Sequence, residues 1–295
     1  MTGGGTNAQT IVDTHVHCWN PRQIEYFWLD SADESLRRVV TLAELEPQRL
    51  AAGVAWAVFV QASHDVRELP WVLEELNAFP WVRGVVGWID LTAPSGLEAA
   101  QGALLDPRLC GVRHLTHDIP EGDWLARDDV NAALAAMPGL KLSVDLVLRP
   151  QQLPLAAEVV ADHPTLTVVL DHLGNPPLAD GDLHAWSHDL AALAALPNVS
   201  AKVSGLLTLL RPGQDRAPLR QAVAHAFDVF GPERLMYGGD WPVSTQSAHY
   251  QTTLDTLRSA LPPLNTVQAQ AFWAGTADRI YRLGLFPNTH QEVQK

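Results

Sequence analysis

Along the chain, short runs of β-branched and other apolar residues alternate with longer stretches rich in Ala, Leu and Glu. The runs lie at 10–16, 55–60, 84–89, 111–115, 140–146, 166–170, 199–203 and 234–237. Near-continuous apolar runs of this length are what parallel strands covered on both faces require. From Val12 to Tyr237 the chain advances 225 residues in seven steps, about 32 per step, and a strand–helix–strand unit needs about 30. Eight such units predict one α/β domain, a single (β/α)8 barrel of the TIM type spanning 11–285. Residues 1–10 read as a flexible N-terminus and 286–295 as a C-terminal tail. A doubly wound open sheet alternates in the same way, so periodicity alone leaves both architectures open.

Local signals mark some of the helices. Thr41 and Glu44 have the spacing of a capping box, Gly53 ends that segment, and Pro47 is expected to divide it into two short pieces. Thr266 is expected to cap the last helix, in which Trp273, Ala277, Ile280 and Leu283 recur at helical spacing before Gly284. The longest piece between a strand and its helix is 18–40. It carries Trp19, Tyr26, Phe27 and Trp28, enough apolar surface to pack as a lid-like loop.

Composition narrows the function classes. The formal net charge of −13 excludes a general nucleic-acid binder, which needs a basic footprint to displace counterions. Two cysteines, Cys18 and Cys110, make neither a disulfide scaffold nor a Cys-based zinc module. No apolar run reaches the length of a membrane span, and the Gly-rich start has no basic or apolar region of a signal peptide. A soluble cytoplasmic protein is the expectation, with no sign of its oligomeric state. Nucleophile elbow, Walker, dinucleotide and His-Glu-x-x-His motifs are absent from the sequence.

The chemistry gathers at the ends of the apolar runs. Asp13, His15 and His17 share one face of the first strand, since residues two apart point the same way. Two imidazoles there can hold a divalent ion or a water; on an edge strand they would merely be solvated. Asp171 and His172 end the sixth run before Gly174, Asn175 and Pro176. Strand alternation sends them to opposite sides, so His172 is expected to face inward and Asp171 to serve as a loop or cap partner. Asp240 follows Gly238 and Gly239 after the eighth run, at the barrel mouth or as an N-cap. His15, His17, His172 and Asp240 therefore all fall at C-terminal strand ends, where barrel active sites gather. Gln61 and His64 follow the second run, Arg113 and His114 end the fourth with only one expected inward, and Lys202 and Ser204 share parity in the seventh. Asp145 is an acid in an apolar run and needs a partner. His163, His184, His188, His225, His249 and His290 read as surface residues.

At these residues the sequence resembles the amidohydrolase superfamily, in its branch of sugar lactonases that includes L-fuconolactonases, L-rhamnono-lactonases and 2-pyrone-4,6-dicarboxylate lactonases. The matching segments are 13–19, 26–29, 58–62, 84–91, 111–115, 169–176, 202–206 and 231–243. The resemblance implies a distorted barrel that hydrolyses the lactone of a sugar acid. It maps the catalytic set onto Asp240, His172, His15 and His17, with Asp240 as general base. Trp28, Tyr26, Gln61, Arg113, His114 and Lys202 would bind the substrate. One divalent ion, zinc first, would be held by His15, His17 and Asp240, although metal-independent activity is also compatible with the branch. Strand five offers no His, which argues against a binuclear site, and Gly239 stands where the family often has Ser. A metal-dependent decarboxylase on the same barrel and a non-catalytic sugar-acid binder are the rival readings.

Overall fold

The structure is a computed structural model, and it describes residues 9–119 and 122–286. The expectations for 1–8 and 287–295, including His290, lie outside the described residues. Eight strands run parallel: β1 (Ile11–Val16), β2 (Val54–Val60), β3 (Val82–Gly87), β4 (Leu109–His114), β5 (Ser143–Leu146), β6 (Val168–Leu170), β7 (Val199–Val203) and β8 (Leu235–Tyr237). They pair strictly in sequence order. An open doubly wound sheet reverses its order at a switch point, so this order decides for the barrel. The seam between β1 and β8 closes through Thr14 Oγ1 donating to the Tyr237 carbonyl (2.6 Å), Asp240 N–H to His15 O (2.8 Å) and His17 N–H to Trp241 O (2.8 Å).

Helices α1 (Leu42–Ala51), α2 (Glu68–Glu75), α3 (Pro94–Ala103), α4 (Asp128–Leu140), α5 (Leu153–Ala161), α6 (His184–Ala194), α7 (Ala217–Phe230) and α8 (Tyr250–Ala260) cover the outside. Inside, Val12, Val58, Val86, Val169 and Met236 form an apolar floor, to which Ala277, Tyr281 and Leu283 of the C-terminal segment belong. The barrel is thus plugged at its N-terminal end, and chemistry is confined to the other.

Several local expectations change. Helix α1 runs unbroken through Pro47. Proline removes one backbone bond there, and burial of Leu42, Leu45 and Arg49 outweighs that loss; the Arg49 guanidinium also sits 4.3 Å over the Trp81 ring. The last helical segment is capped by Asn265, not Thr266, because the Asn265 side chain accepts from Gln268 N–H and Gln268 reaches back to Asn265 N–H. The run at 140–146 begins too early, since Leu140 still belongs to α4. The 18–40 loop is closed at its neck by a two-way bridge, Trp19 N–H to Val40 O (3.0 Å) and Val40 N–H to Trp19 O (2.9 Å). Trp19 is fully buried, its indole N–H shared between the carbonyls of Leu36 and Arg38. It holds the loop together.

Gly239 has a packing reason. A Cβ there would overlap Asp13 Oδ2 and come within 2.9 Å of the Tyr250 ring. Asp13 is buried and accepts from Gly239 N–H (2.7 Å), His15 N–H (3.0 Å) and Tyr250 Oη (2.7 Å), tying β1 to the loop after β8. Gly239→Ser should therefore destabilise the fold by about 1–3 kcal/mol, read as a lower urea midpoint; an unchanged midpoint would mean that Asp13 can yield.

Candidate active site

The C-terminal strand ends bring four sequence-picked residues together. His17 Nδ1 lies 2.7 Å from the Val60 carbonyl. A carbonyl only accepts, so the proton sits on Nδ1 and the Nε2 lone pair is left toward Asp240 Oδ1, 3.5 Å away. His15 Nε2 lies 3.7 Å from the same carboxylate oxygen. Burial holds both imidazoles below their usual pKa, which keeps them neutral acceptors. Asp240 reaches them from a left-handed turn (φ 54°) whose N–H is anchored on β1. His172 packs 4.6 Å from the His15 ring, and its Nδ1 is 2.8 Å from Ser204 Oγ. Gly205 makes this convergence feasible. Its φ is +66°, and a Cβ there would stand 2.7 Å from His172 Nδ1 and 3.0 Å from Asp240 Oδ2.

Below these groups lies a sealed ionic layer. Lys202 Nζ contacts Asp145 Oδ2 (2.6 Å) and Asp171 Oδ1 (3.0 Å), and Arg113 Nη1 contacts Asp171 Oδ2 (3.1 Å). Tyr281 Oη also donates to Asp145 (2.7 Å). Burial works against the charge on Lys202, but Asp145 and Asp171 overcome it and hold the ammonium above its usual pKa. Burial likewise opposes an ionised Asp171, and Lys202, His15 and Arg113 hold it well below the carboxylate range. The layer touches the site through His15, whose Nδ1 lies 3.4 Å from Asp171 Oδ1 and 3.3 Å from Lys202 Nζ.

Above the layer opens a cavity of about 480 Å³, lined among others by His17, Trp28, Arg113, His172 and Asp240. Other expected site residues sit elsewhere. Asp171 is no loop partner but a core ion, because β6 ends at Leu170 and the left-handed turn at His172 and Leu173 (φ 54° and 53°) releases both neighbours from strand alternation. Lys202 is fully buried between two carboxylates and does not line the cavity. Tyr26 is buried beside Trp19. Gln61 is a brace: its Nε2 donates to Arg113 O (3.2 Å), and its backbone carbonyl accepts from Arg113 Nη2. Arg113 is the member of its pair that lines the cavity. The His114 ring instead lies in an aromatic stack with His64 and Trp124, its Nδ1 accepting from the Trp88 indole at 3.0 Å. His225 is partly buried against Trp186 instead of solvated.

Comparison with known proteins now bears on this geometry. The amidohydrolase family profile matches residues 12–283. The chain is 35% identical over 286 residues to an L-fucono-1,5-lactonase of Burkholderia multivorans, covering 92% of this chain and 96% of the relative. It is 31% identical over 239 residues to an L-fucono-1,5-lactonase of Burkholderia ambifaria, covering 81% and 82%. This chain belongs to the amidohydrolase family. An amidohydrolase crystal structure from Burkholderia multivorans with bound zinc superposes with a TM-score of 0.87 at 32% identity, covering 92% of this chain and 99% of that one.

As in other amidohydrolases, the question of a metal follows. His15, His17 and Asp240 form a cluster whose ligand atoms lie within 4.8 Å of one another. Atoms sharing a tetrahedral ion at about 2.0–2.1 Å sit about 3.3 Å apart, close to the 3.5 and 3.7 Å separations from Asp240 Oδ1. Three acceptors converging with no donor among them fit one divalent ion. Arg113 Nη1, 3.2 Å from His15 Nε2, already supplies positive charge beside that place.

The sequence reading missed three titratable residues of the amidohydrolase cavity, His117, Asp118 and Arg149, and the amide of Asn175. His117 is held by its N–H on Val147 O (3.1 Å), and burial pushes its pKa down to about 4. All four sit on loops after β4, β5 and β6, where strand parity carries no information.

The ionic layer generates a test. Lys202→Met would leave the buried Asp145 without a cation and Asp171 with Arg113 alone, so stability should fall by about 3–5 kcal/mol in urea denaturation. A raised KM at unchanged stability would return Lys202 to a substrate-binding role.

Proposed function

We propose that this amidohydrolase opens the ring of a sugar-acid lactone, an aldonolactone of the L-fucono or L-rhamnono kind, by water attack at the carbonyl. The observation that carries the reading is Asp240, an acceptor oxygen at 3.5 Å from a neutral His17, facing the same cavity as the Arg113 guanidinium. Two relatives at 31% and 35% identity, both L-fucono-1,5-lactonases, support it.

The chemistry follows from the residue types. Asp240 takes a proton from a water that its carboxylate and His17 Nε2 orient, a general-base step worth roughly 10²–10⁴-fold. Water oxygen bonds to the carbonyl carbon, and the charge that develops on the carbonyl oxygen is met by Arg113, fixed by Asp171 and Gln61 so that it need not reorganise. The ring C–O bond then breaks. Asp240 returns its proton to the leaving oxygen, and the new carboxylic acid releases the second proton of water to solvent. His172, braced by Ser204, and Trp28, braced by its indole N–H on Ala62 O (2.7 Å), contact the sugar.

A zinc ion would be held by His15, His17 and Asp240 and would supply Lewis acidity toward the carbonyl. We assign the work to the cytoplasm; both cysteines are buried free thiols, and no described helix is long and apolar enough to cross a membrane. The partner is a small molecule, with no nucleic acid, given the net charge of −13.

Acid release from aldonolactones in a pH-indicator assay should be lost by about 10³-fold or more in Asp240→Asn at unchanged circular dichroism; near-wild-type turnover would exclude Asp240 as base, and CO2 release without acid would exclude the lactonase. Because Arg113 remains, chelation and metal removal checked by elemental analysis should leave turnover within about tenfold. A larger loss, restored by zinc, would make the ion the principal electrophile.

A further inference from the structure

A second compartment, of about 490 Å³, adjoins the catalytic cavity. The two share Trp28, Ala62, Leu115 and Asp118 as walls, and the second adds Phe27, Ser63, His64, Ile119, Trp124 and Arg127 on its own side, the Arg127 guanidinium being paired with Asp129 (2.6 Å). Either volume alone lies in the roughly 300–1,000 Å³ range of small-molecule sites. The catalytic cavity is therefore sufficient for a monosaccharide lactone, and that reaction leaves the second compartment without a task.

Its surface is built and rigid. Trp28, half-buried, is fixed by the bond from its indole to Ala62 O (2.7 Å). Ala62 is fixed in turn by the buried Glu68 carboxylate, which accepts from the N–H groups of Ala62 (3.1 Å) and Ser63 (3.2 Å). Trp124 stacks on His114 at 4.2 Å, and His64 stacks on the other side of the same ring at 4.3 Å. Leu115 N–H donates to His64 Nε2 (3.0 Å), so the proton of the neutral ring is on Nδ1, a donor. Burial pushes the His64 pKa down to about 4, so the ring stays neutral at physiological pH. Asp118 supplies a half-exposed carboxylate that lines both compartments. Phe27, 70% exposed, stands at the edge with no packing role that accounts for an aromatic ring in water.

Aromatic faces carry negative quadrupole density, which attracts the partially positive C–H face of a pyranose. A carboxylate accepts sugar hydroxyls, and an imidazole N–H donates to them. Rings alone would suit any apolar group; rings together with an exposed carboxylate and a neutral donor suit a sugar.

Resting on the lactonase reading, we propose that this compartment is a subsite for a glycosyl substituent on the lactone ring, so that the substrate class extends to disaccharide aldonolactones. The second pyranose lies between Phe27 and Trp124 with its hydroxyls on Asp118, while the lactone ring occupies the catalytic cavity.

The test compares three probes on the full-length protein by acid release: a monosaccharide 1,5-lactone that the enzyme turns over, the same lactone carrying a second pyranose, and one carrying a cyclohexyl group of similar size. Wild-type protein should favour the glycosylated lactone in kcat/KM. Phe27→Ser, a change on an exposed ring, should lower that value about fivefold or more, mainly through KM, and leave the monosaccharide within about twofold; Asp118→Asn should likewise penalise the glycosylated probe more than the cyclohexyl one. Turnover of the monosaccharide without the glycosylated lactone, equal losses on both in Phe27→Ser, or an equal preference for the cyclohexyl probe would each overturn the glycosyl subsite alone. Absence of turnover with every lactone would overturn the lactonase reading and this proposal with it.

Discussion

Two carboxylates and two cations, sealed between the apolar floor and the catalytic cavity, hold the upper half of this barrel in place. Asp145 and Asp171 against Lys202 and Arg113 make a layer of zero formal charge, contributed by β4, β5, β7 and the end of β6. Buried ions are costly to desolvate, and such a layer persists only because each charge has a partner at contact distance. Every one of these residues needs its strand in one register, so the layer also fixes strand heights relative to each other. A hydrophobic layer of the same volume would pack without specifying where the imidazoles above it stand.

The catalytic cavity inherits its asymmetry from that layer. On one side Asp240, His17 and His15 converge as acceptors; on the other Arg113 presents a guanidinium already held by Asp171 and by the Gln61 carbonyl. His15 joins the two, with Nδ1 toward Asp171 and Lys202 and Nε2 toward Asp240 and Arg113. The acceptors come from β1 and the loop after β8 and the guanidinium from β4, and they meet at His15, where Arg113 Nη1 stands 3.2 Å from Nε2.

The eight strands and the His15/His17/His172/Asp240 constellation were legible from apolar runs and strand-end positions. Depth was not. Lys202 and Ser204 share parity and do point the same way, yet two residues of strand rise, about 6.6 Å, put Lys202 in the ionic layer and Ser204 beside His172. Period-two reasoning assigns a face and is silent about height along the barrel axis. It fails differently at Asp171 and His172, where four positive-φ residues in succession, 172 to 175, end the alternation that the reasoning assumes. His117 and Arg149 escaped because loops have no period, and Pro47 misled because one missing N–H is a small loss beside a buried helix face.

The neck of the 18–40 loop has a consequence for how such a protein can change. Trp19 and Val40 bond to each other in both directions, so the chain enters and leaves the loop at a single clamped point. Between them the segment is tied to α1 by the Arg38–Glu44 ion pair (2.8 Å) and to the end of β2 by Trp28 on Ala62 and Ser63 on Glu25. A change of length or aromatic content within 20–39 is therefore felt first at α1 and at the cavity wall built by Trp28, and reaches the strand that bears His15 and His17 through the clamp.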